Sequence, residues 1–394
     1  MEKQRAGLPQ AMVILIISIL PMMAIVALMP VIPVLIQHFH DIPNIMTLAP
    51  LIVAAPGICV AFLSPYAGYL TDKLGRRKLL LIFTLFYGFG GILPFFIEDF
   101  TILMIGRLLL GIGEAFILTV ANTLLGDYFE ESERTKWLMW QSIAGAVSGF
   151  MLLSVSGYLS SLGWNYPFLV YSIAFVVTIS TYFFIFEPKR IVQKPSVSNK
   201  LVVKVPKKIM IRITLMTMVA AILYNVYIIH FSMALNVMGI FDQQKIGFYS
   251  ALATLAVPIG AYLFKYFSVR SPQFQFSLLF TLIGIGLIGI GLSQKIEITI
   301  FFAWIQQLGV GMAIPILIAW ALNEVPLEFR GRGMGFWTCG FFLGQFISPL
   351  AVSAMRNITG NMLYAFVSFG IMCLLVAIFN GLLTKKVAQH EEQI

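Results

Sequence analysis

The sequence predicts an all-α membrane protein of twelve transmembrane helices, arranged as two six-helix pseudo-symmetric halves. Three observations predict it. Of 394 residues, 59% are hydrophobic and 11% charged, against roughly 25% charged in soluble domains, and the mean hydropathy is +0.91. The apolar residues gather in runs of about 20, the length that crosses a hydrocarbon core. The bases lie between those runs, and one polar, basic segment falls near the midpoint of the chain. A water-soluble fold has no means of covering that much apolar surface, so the lipid bilayer is the first partner expected.

In chain order, the spans are expected at about 9–36, 46–70, 79–97, 101–126, 137–161, 166–186, 209–236, 246–267, 273–293, 298–322, 333–355 and 361–383. The first run is too long for a signal peptide and no small-residue cleavage site follows it, so it is expected to be retained. The connecting loops are short, which leaves no room for a soluble domain. The exception is 187–208, a basic stretch with three prolines. The expected organisation is thus a first half at 1–186, a cytoplasmic linker at 187–208, and a second half at 209–394 ending in a short tail.

Orientation follows from Lys and Arg. With the N-terminus inside, 22 of the 26 bases fall on the inner side, and only Lys245, Lys295 and Arg356 on the outer. That bias places both termini and the linker in the cytoplasm of a cell's plasma or inner membrane. It also accounts for the net charge of +9 without a nucleic-acid partner. Cys59, Cys339 and Cys373 lie apart within apolar runs, so neither a disulfide framework nor a zinc site is expected. No Walker A sequence is present, so ATP is not the energy source. No metal and no cofactor are expected, and the acids are too few and scattered for an enzyme.

The halves repeat weakly. Gly111-Ile112-Gly113-Glu114-Ala115 in span 4 has a counterpart in Gly309-Val310-Gly311-Met312-Ala313 of span 10, and Pro65 with Gly68 has one in Pro258 with Gly260. Two such halves suggest a transporter whose site lies between them at mid-membrane.

The loop after span 2 reads Gly68-Tyr69-Leu70-Thr71-Asp72-Lys73-Leu74-Gly75-Arg76-Arg77-Lys78. Here Gly68 is expected to let helices approach closely. Asp72 can accept hydrogen bonds at a helix end and pair with a base. Gly75 permits the tight turn between antiparallel spans, and the three bases hold the loop on the inner side. The stretch closely resembles the loop signature of the major facilitator superfamily, and the resemblance extends over the whole chain. Arg107-Leu108-Leu109-Leu110-Gly111-Ile112-Gly113 in span 4 resembles the R-x-x-x-G-x-G motif of proton-coupled members. By that resemblance, Arg107 takes part in proton coupling. The resemblance also implies a conformational latch from Gly68, Asp72, Gly75, Arg76 and Asp127, joined by Arg330 or Arg332. Two departures stand beside it. Span 5 offers Gly145, Gly149 and Gly157, small residues expected to allow close packing, where exporters carry a Gly-Pro signature, but lacks the proline. The loop after span 8 lacks the acid.

Glu114 is the one carboxylate expected deep within a span. It lies seven residues from Arg107, hence on the same helix face and about 10 Å away along the axis, and both are expected to face the central cavity. Desolvation disfavours a charged carboxylate and a guanidinium favours it, so Glu114 is read as the proton carrier, the anchor of a cationic substrate group, or both by competition. Intramembrane acids are functional by default. In span 7, Tyr224, Asn225, Tyr227 and His230 are expected to form one polar-aromatic face. Gln307, Gln345 and Asn122 complete the candidate pocket, with Gln141 nearer the inner side.

The reading is a proton-coupled secondary transporter, monomeric, of the twelve-span drug:proton antiporter type. It would export drugs or other small amphipathic molecules by alternating access, exchanging them for protons. An importer or a metabolite or siderophore transporter of the same fold is the first alternative, and a non-transporting membrane receptor is the second.

Overall fold

A computed structural model describes residues 7–129, 131–188, 207–326 and 329–391. Its regular elements are all helical. The first half holds α1 (Leu8–Val26), α2 (Ile32–His38), α3 (Ile45–Leu74), α4 (Arg76–Phe96), α5 (Phe100–Tyr128), α6 (Glu131–Leu162) and α7 (Ile173–Phe184). The second holds α8 (Lys207–Val237), α9 (Gln243–Thr254), α10 (Ala256–Phe267), α11 (Pro272–Leu292), α12 (Ile296–Glu324), α13 (Arg330–Thr359) and α14 (Met362–Glu391). Twelve stretches of these helices are long and apolar enough to cross a membrane, as expected. The linker expected at 187–208 lies almost wholly outside the described residues.

Local chemistry sets the element ends. The first span splits into α1 and α2 around a 3-10 turn at Met29–Val31, where Pro30 and Pro33 withhold their N–H groups. Asp99 caps α5 by accepting from the Ile102 N–H at 2.9 Å, and Asp242 caps α9 by accepting from the Gln244 N–H at 2.9 Å. Gly75 separates α3 from α4 at φ +93°, a backbone state that favours glycine. The helices also outrun the apolar windows: α4 begins at Arg76 and α12 continues to Glu324. Backbone hydrogen bonding does not stop where lipid stops.

The halves share one packing plan. In the first, α1 packs on α6, α3 on α5, α4 on α5 and α4 on α7. In the second, α8 packs on α13, α10 on α12, α11 on α12 and α11 on α14. Every pair advances by seven elements, which is the internal repeat in three dimensions. Between the halves, α3 lies along α13 and α6 along α9.

The glycine repeat of spans 4 and 10 is real, but its two glycines exchange partners. A Cβ on Gly111 would meet the Pro56 backbone of α3 at 2.6 Å, and one on Gly113 the Phe83 carbonyl of α4 at 2.7 Å. In α12 it is Gly311 that faces α10, 2.1 Å from the Val257 carbonyl, and Gly309 that faces α11. By its neighbours Gly309 takes the place of Gly113 and Gly311 that of Gly111, so the two glycines face their helices in reversed order. The other proposed repeat fails in its surroundings. Gly260 sits against Leu308, whereas among the described residues nothing lies within 4 Å of the position a Gly68 side chain would occupy. Gly68 faces open space here, so the expectation that it brings helices together is corrected.

Candidate functional site

Between the halves, at the middle of the bundle, lies a cavity of about 760 Å³. Glu114 from α5 enters it from the first half, and Tyr224, Asn225, Gln307 and Gln345 enter from the second. The remaining wall is mostly apolar, with Met22, Ile25, Phe341 and Phe342 among its residues. Glu114 is 1% exposed. Its Oε2, the Asn225 Oδ1, the Gln307 Oε1 and the Gln345 Nε2 are buried without a hydrogen-bond partner. The cavity thus presents one carboxylate, two further acceptor oxygens and one donor amide, all unspent. Buried polar groups are normally paired, so a cluster of unpaired ones around a hole is ready to receive a ligand's polar groups.

Arg107 does not face this cavity, which corrects the expectation that it would. It is fully buried within the first half. Its Nε donates to the Ile52 carbonyl at 2.9 Å and its Nη1 to the Tyr171 hydroxyl at 3.1 Å. Its Nη2 donates to the Ala24 carbonyl. The reason lies in the broken helices. The Ile52 carbonyl would normally accept from residue 56, which is proline and has no N–H. The Ala24 carbonyl would accept from Leu28, whose N–H turns instead to Ile25 at the end of α1. Two freed carbonyls beside α5 draw the guanidinium sideways, away from the face it shares with Glu114. Ser156 serves the neighbouring Ala27 carbonyl in the same way.

The α8 residues divide. Tyr224 and Asn225 line the cavity, whereas Tyr227 and His230 are buried within the second half and lie off the cavity wall. The His230 Nδ1 contacts the Val226 carbonyl at 3.2 Å. The expected single face fails because two steps of three residues leave Tyr224 and His230 about 120° apart around the helix. Asn122 is exposed, two turns from Glu114 toward the end of the bundle that carries the chain termini, and is also off the wall.

Of the expected latch, Arg76 and Asp127 meet: the Arg76 Nε donates to the Asp127 Oδ2 at 3.0 Å. The side chains of Asp72 and Arg330 lie outside the described residues. Gly75 makes the turn as expected. A residue not anticipated completes it. Glu187, just after α7, accepts from the Arg76 N–H at 2.9 Å and the Arg77 N–H at 3.0 Å. Its carboxylate thereby satisfies two of the orphan donors at the start of α4. The signal was an acid at the head of the basic linker. Nearby, the Tyr128 hydroxyl is raised well above its ordinary pKa by burial, an effect opposed by the hydrogen bond it accepts from the Phe186 N–H.

Sequence reasoning also missed most of the apolar wall. Gly145 and Ala146 of α6 line the cavity, and among the described residues nothing lies within 4 Å of a Gly145 side chain. That corrects the expectation of close packing there. Gly157 does pack closely, its added Cβ lying 2.7 Å from the Gly247 Cα of α9. The halves are further joined at the end away from the termini. Thr47 bonds to Ser353, the Arg356 Nη1 donates to the Met46 carbonyl at 3.4 Å, and the Gln244 Nε2 donates to the Ser161 hydroxyl at 3.2 Å.

Known proteins share this plan. A family profile described as the Major Facilitator Superfamily matches residues 14–270 and 242–393. The bacillibactin exporter of Bacillus subtilis (strain 168) is 23% identical over 359 residues, covering 87% of this chain and 89% of that protein. The quinolone resistance protein NorA of Staphylococcus aureus (strain MRSA252) is 23% identical over 324 residues, covering 78% and 80%. The solved structure of the nucleoside transporter NupG superposes with a TM-score of 0.79 at 10% identity, covering 94% of this chain and 98% of that one.

Proposed function

The chain belongs to the Major Facilitator Superfamily of transporters, and from that premise we propose that it is a proton-coupled exporter of amphipathic small molecules. The observation that carries the reading is Glu114: one buried carboxylate with a free oxygen, at mid-bundle, in a largely apolar cavity of about 760 Å³. A cavity of that size fits a drug-sized ligand. Substrate and proton compete for the same carboxylate: the substrate's cationic or donor group binds when the proton is absent, and protonation releases it. The unpaired amides of Asn225, Gln307 and Gln345 orient neutral parts of the substrate across from Glu114.

Arg107 supports this chemistry without touching substrate. It pins α1 and α3 to the helix that carries Glu114 and keeps a fixed positive charge about 10 Å along that helix. The contacts between halves at the end away from the termini belong to a state closed there. The Lys and Arg bias puts the terminus end in the cytoplasm, so this state loads from the inside. The exporters among the relatives support the direction. A proton-coupled importer of the same fold is the second reading, favoured by the missing proline in span 5.

The test uses everted membrane vesicles carrying a pH-sensitive dye, energised and then given lipophilic cations, neutral antibiotics or small metabolites. Wild type is expected to show proton efflux on addition of one compound class, and Glu114→Gln none. Efflux that persists in Glu114→Gln overturns Glu114 as the coupling group. Silence of the wild type across the panel favours the importer.

A further inference from the structure

A second large cavity, of about 720 Å³, lies between the halves at the end away from the termini. Its apolar wall includes Ile36 from the first half and Met233 and Met362 from the second. Its polar groups are Arg356, Asn236, Asn357 and Asn361, and no carboxylate lines it. The Arg356 guanidinium donates to the Met46 carbonyl and the Ser353 hydroxyl, both at 3.4 Å, and to the Asn357 Oδ1 at 3.2 Å. The Met46 carbonyl is free for this because residue 50 is a proline. All three acceptors are neutral, so a half-buried guanidinium sits at the wall of a cavity without a counter-ion. The Asn361 Oδ1 accepts from the Leu363 N–H at 2.8 Å, which leaves its amide hydrogens for a ligand. Met46, Val237, Asn357 and Gly360 are exposed, so the cavity is reached from outside the bundle.

We propose that this cavity is a binding site for an amphipathic monoanion, whose carboxylate or phosphate head pairs with Arg356 and the amides of Asn236 and Asn361. The tail lies against Ile36, Met233 and Met362. Guanidinium pairs with a carboxylate or phosphate are the strong ones, and among the described residues Arg356 donates only to the neutral Met46, Ser353 and Asn357 oxygens. Both halves line the cavity, so parting them at this end would pull the site open. The ligand therefore binds the closed arrangement and holds it. This site is opposite in charge to the central cavity, so a ligand suited to one is rejected by the other.

The test is calorimetric titration of the purified full-length protein, in nanodiscs of phosphatidylcholine, with decanoate, decanol and decyltrimethylammonium. Decanoate is expected to bind saturably and the other two at least roughly tenfold more weakly. Arg356→Gln is expected to remove that preference for decanoate. Asn361→Asp keeps the acceptor that caps Leu363 but supplies an internal counter-ion, and is expected to weaken decanoate by a similar factor. Lys295→Gln, which alters a base at the same end but outside the cavity, leaves it unchanged. A disulfide built from Thr47→Cys and Ser353→Cys holds this end closed and should preserve binding. Competition by added phosphatidylglycerol identifies a lipid headgroup as the occupant, and its absence identifies a soluble anion. The proposal is overturned by no binding of decanoate to wild type, by equal affinity in wild type, Arg356→Gln and Asn361→Asp, or by loss of binding in the crosslinked protein.

Discussion

Arg107 in the first half and Gln306 in the second are both fully buried, yet their surroundings differ completely. Every nitrogen of the Arg107 guanidinium donates a hydrogen bond. Neither side-chain polar atom of Gln306 has a partner. The contrast runs through both halves. In the first, polar side chains meet carbonyls freed where helices break: Arg107 meets those of Ile52 and Ala24, and Ser156 meets that of Ala27. In the second, Asn225, Gln307, Gln345, Tyr227, Ser232 and Trp337 each keep a buried polar atom unpaired. Two halves with the same packing plan thus have different duties. The first clamps its largest buried base and holds one charge, Glu114, in place, while Ser64, Arg77 and Thr181 each keep one buried polar atom unpaired. The second offers unspent amides that face that charge across the cavity.

Four substitutions break or sharpen this comparison. The largest effect is expected for Arg107→Met. It would orphan the Ile52 and Ala24 carbonyls in a dry interior, at about 1–3 kcal/mol each, and thermal unfolding of the purified protein would show a large fall in midpoint. An unchanged midpoint would mean the carbonyl clamp does not stabilise the first half. Intermediate effects are expected at the exchanged glycines. A Cβ at Gly113 meets backbone atoms of Phe83 and Tyr87 at 2.7 and 2.8 Å, whereas one at Gly309 first meets the Ile283 side chain at 3.0 Å. Backbone cannot step aside as a side chain can, so Gly113→Ala should cost about 1–3 kcal/mol and Gly309→Ala measurably less in the same assay. Equal costs would erase the difference between the halves at these glycines. The smallest effect is expected for Gln306→Leu. Replacing an unpaired amide with an apolar group of similar size is near neutral or stabilising, so a change within about 1 kcal/mol is predicted. A large loss of stability would show that Gln306 is satisfied in the membrane and that the second half is less open-handed than its geometry implies.

The fold was largely legible in the chain because a bilayer imposes a simple rule on sequence: about 20 apolar residues per crossing. The loop from Asp72 to Lys78 and the motif from Arg107 to Gly113 were legible for the same local reason, since each is a short run of neighbours. Glu114 stood out because an acid within a span is rare. Other parts of the site were hidden. The roles of Tyr227 and His230 depended on treating steps of three residues as one face, although two such steps turn the helix by about 120°. Glu187 acts on α4 from more than a hundred residues along the chain; an acid at the head of a basic linker marks it, but nothing local says which helix it reaches. Gly145 and Gly157 look alike in the sequence, yet one lines the cavity and the other meets a neighbouring backbone.

The sequence by itself determined the number of spans, the family, and the presence of one acid and one base in the same helix, because hydropathy, turn chemistry and spacing are properties of adjacent residues. Only the tertiary structure decided which polar groups are satisfied. Arg107 and Glu114 share a helix face, but Pro56 and the end of α1 free carbonyls that claim the guanidinium, and nothing comparable claims the carboxylate. Pairing depends on what distant segments leave unpaired, so a frame residue and a site residue seven positions apart can be told apart only once the helices are packed.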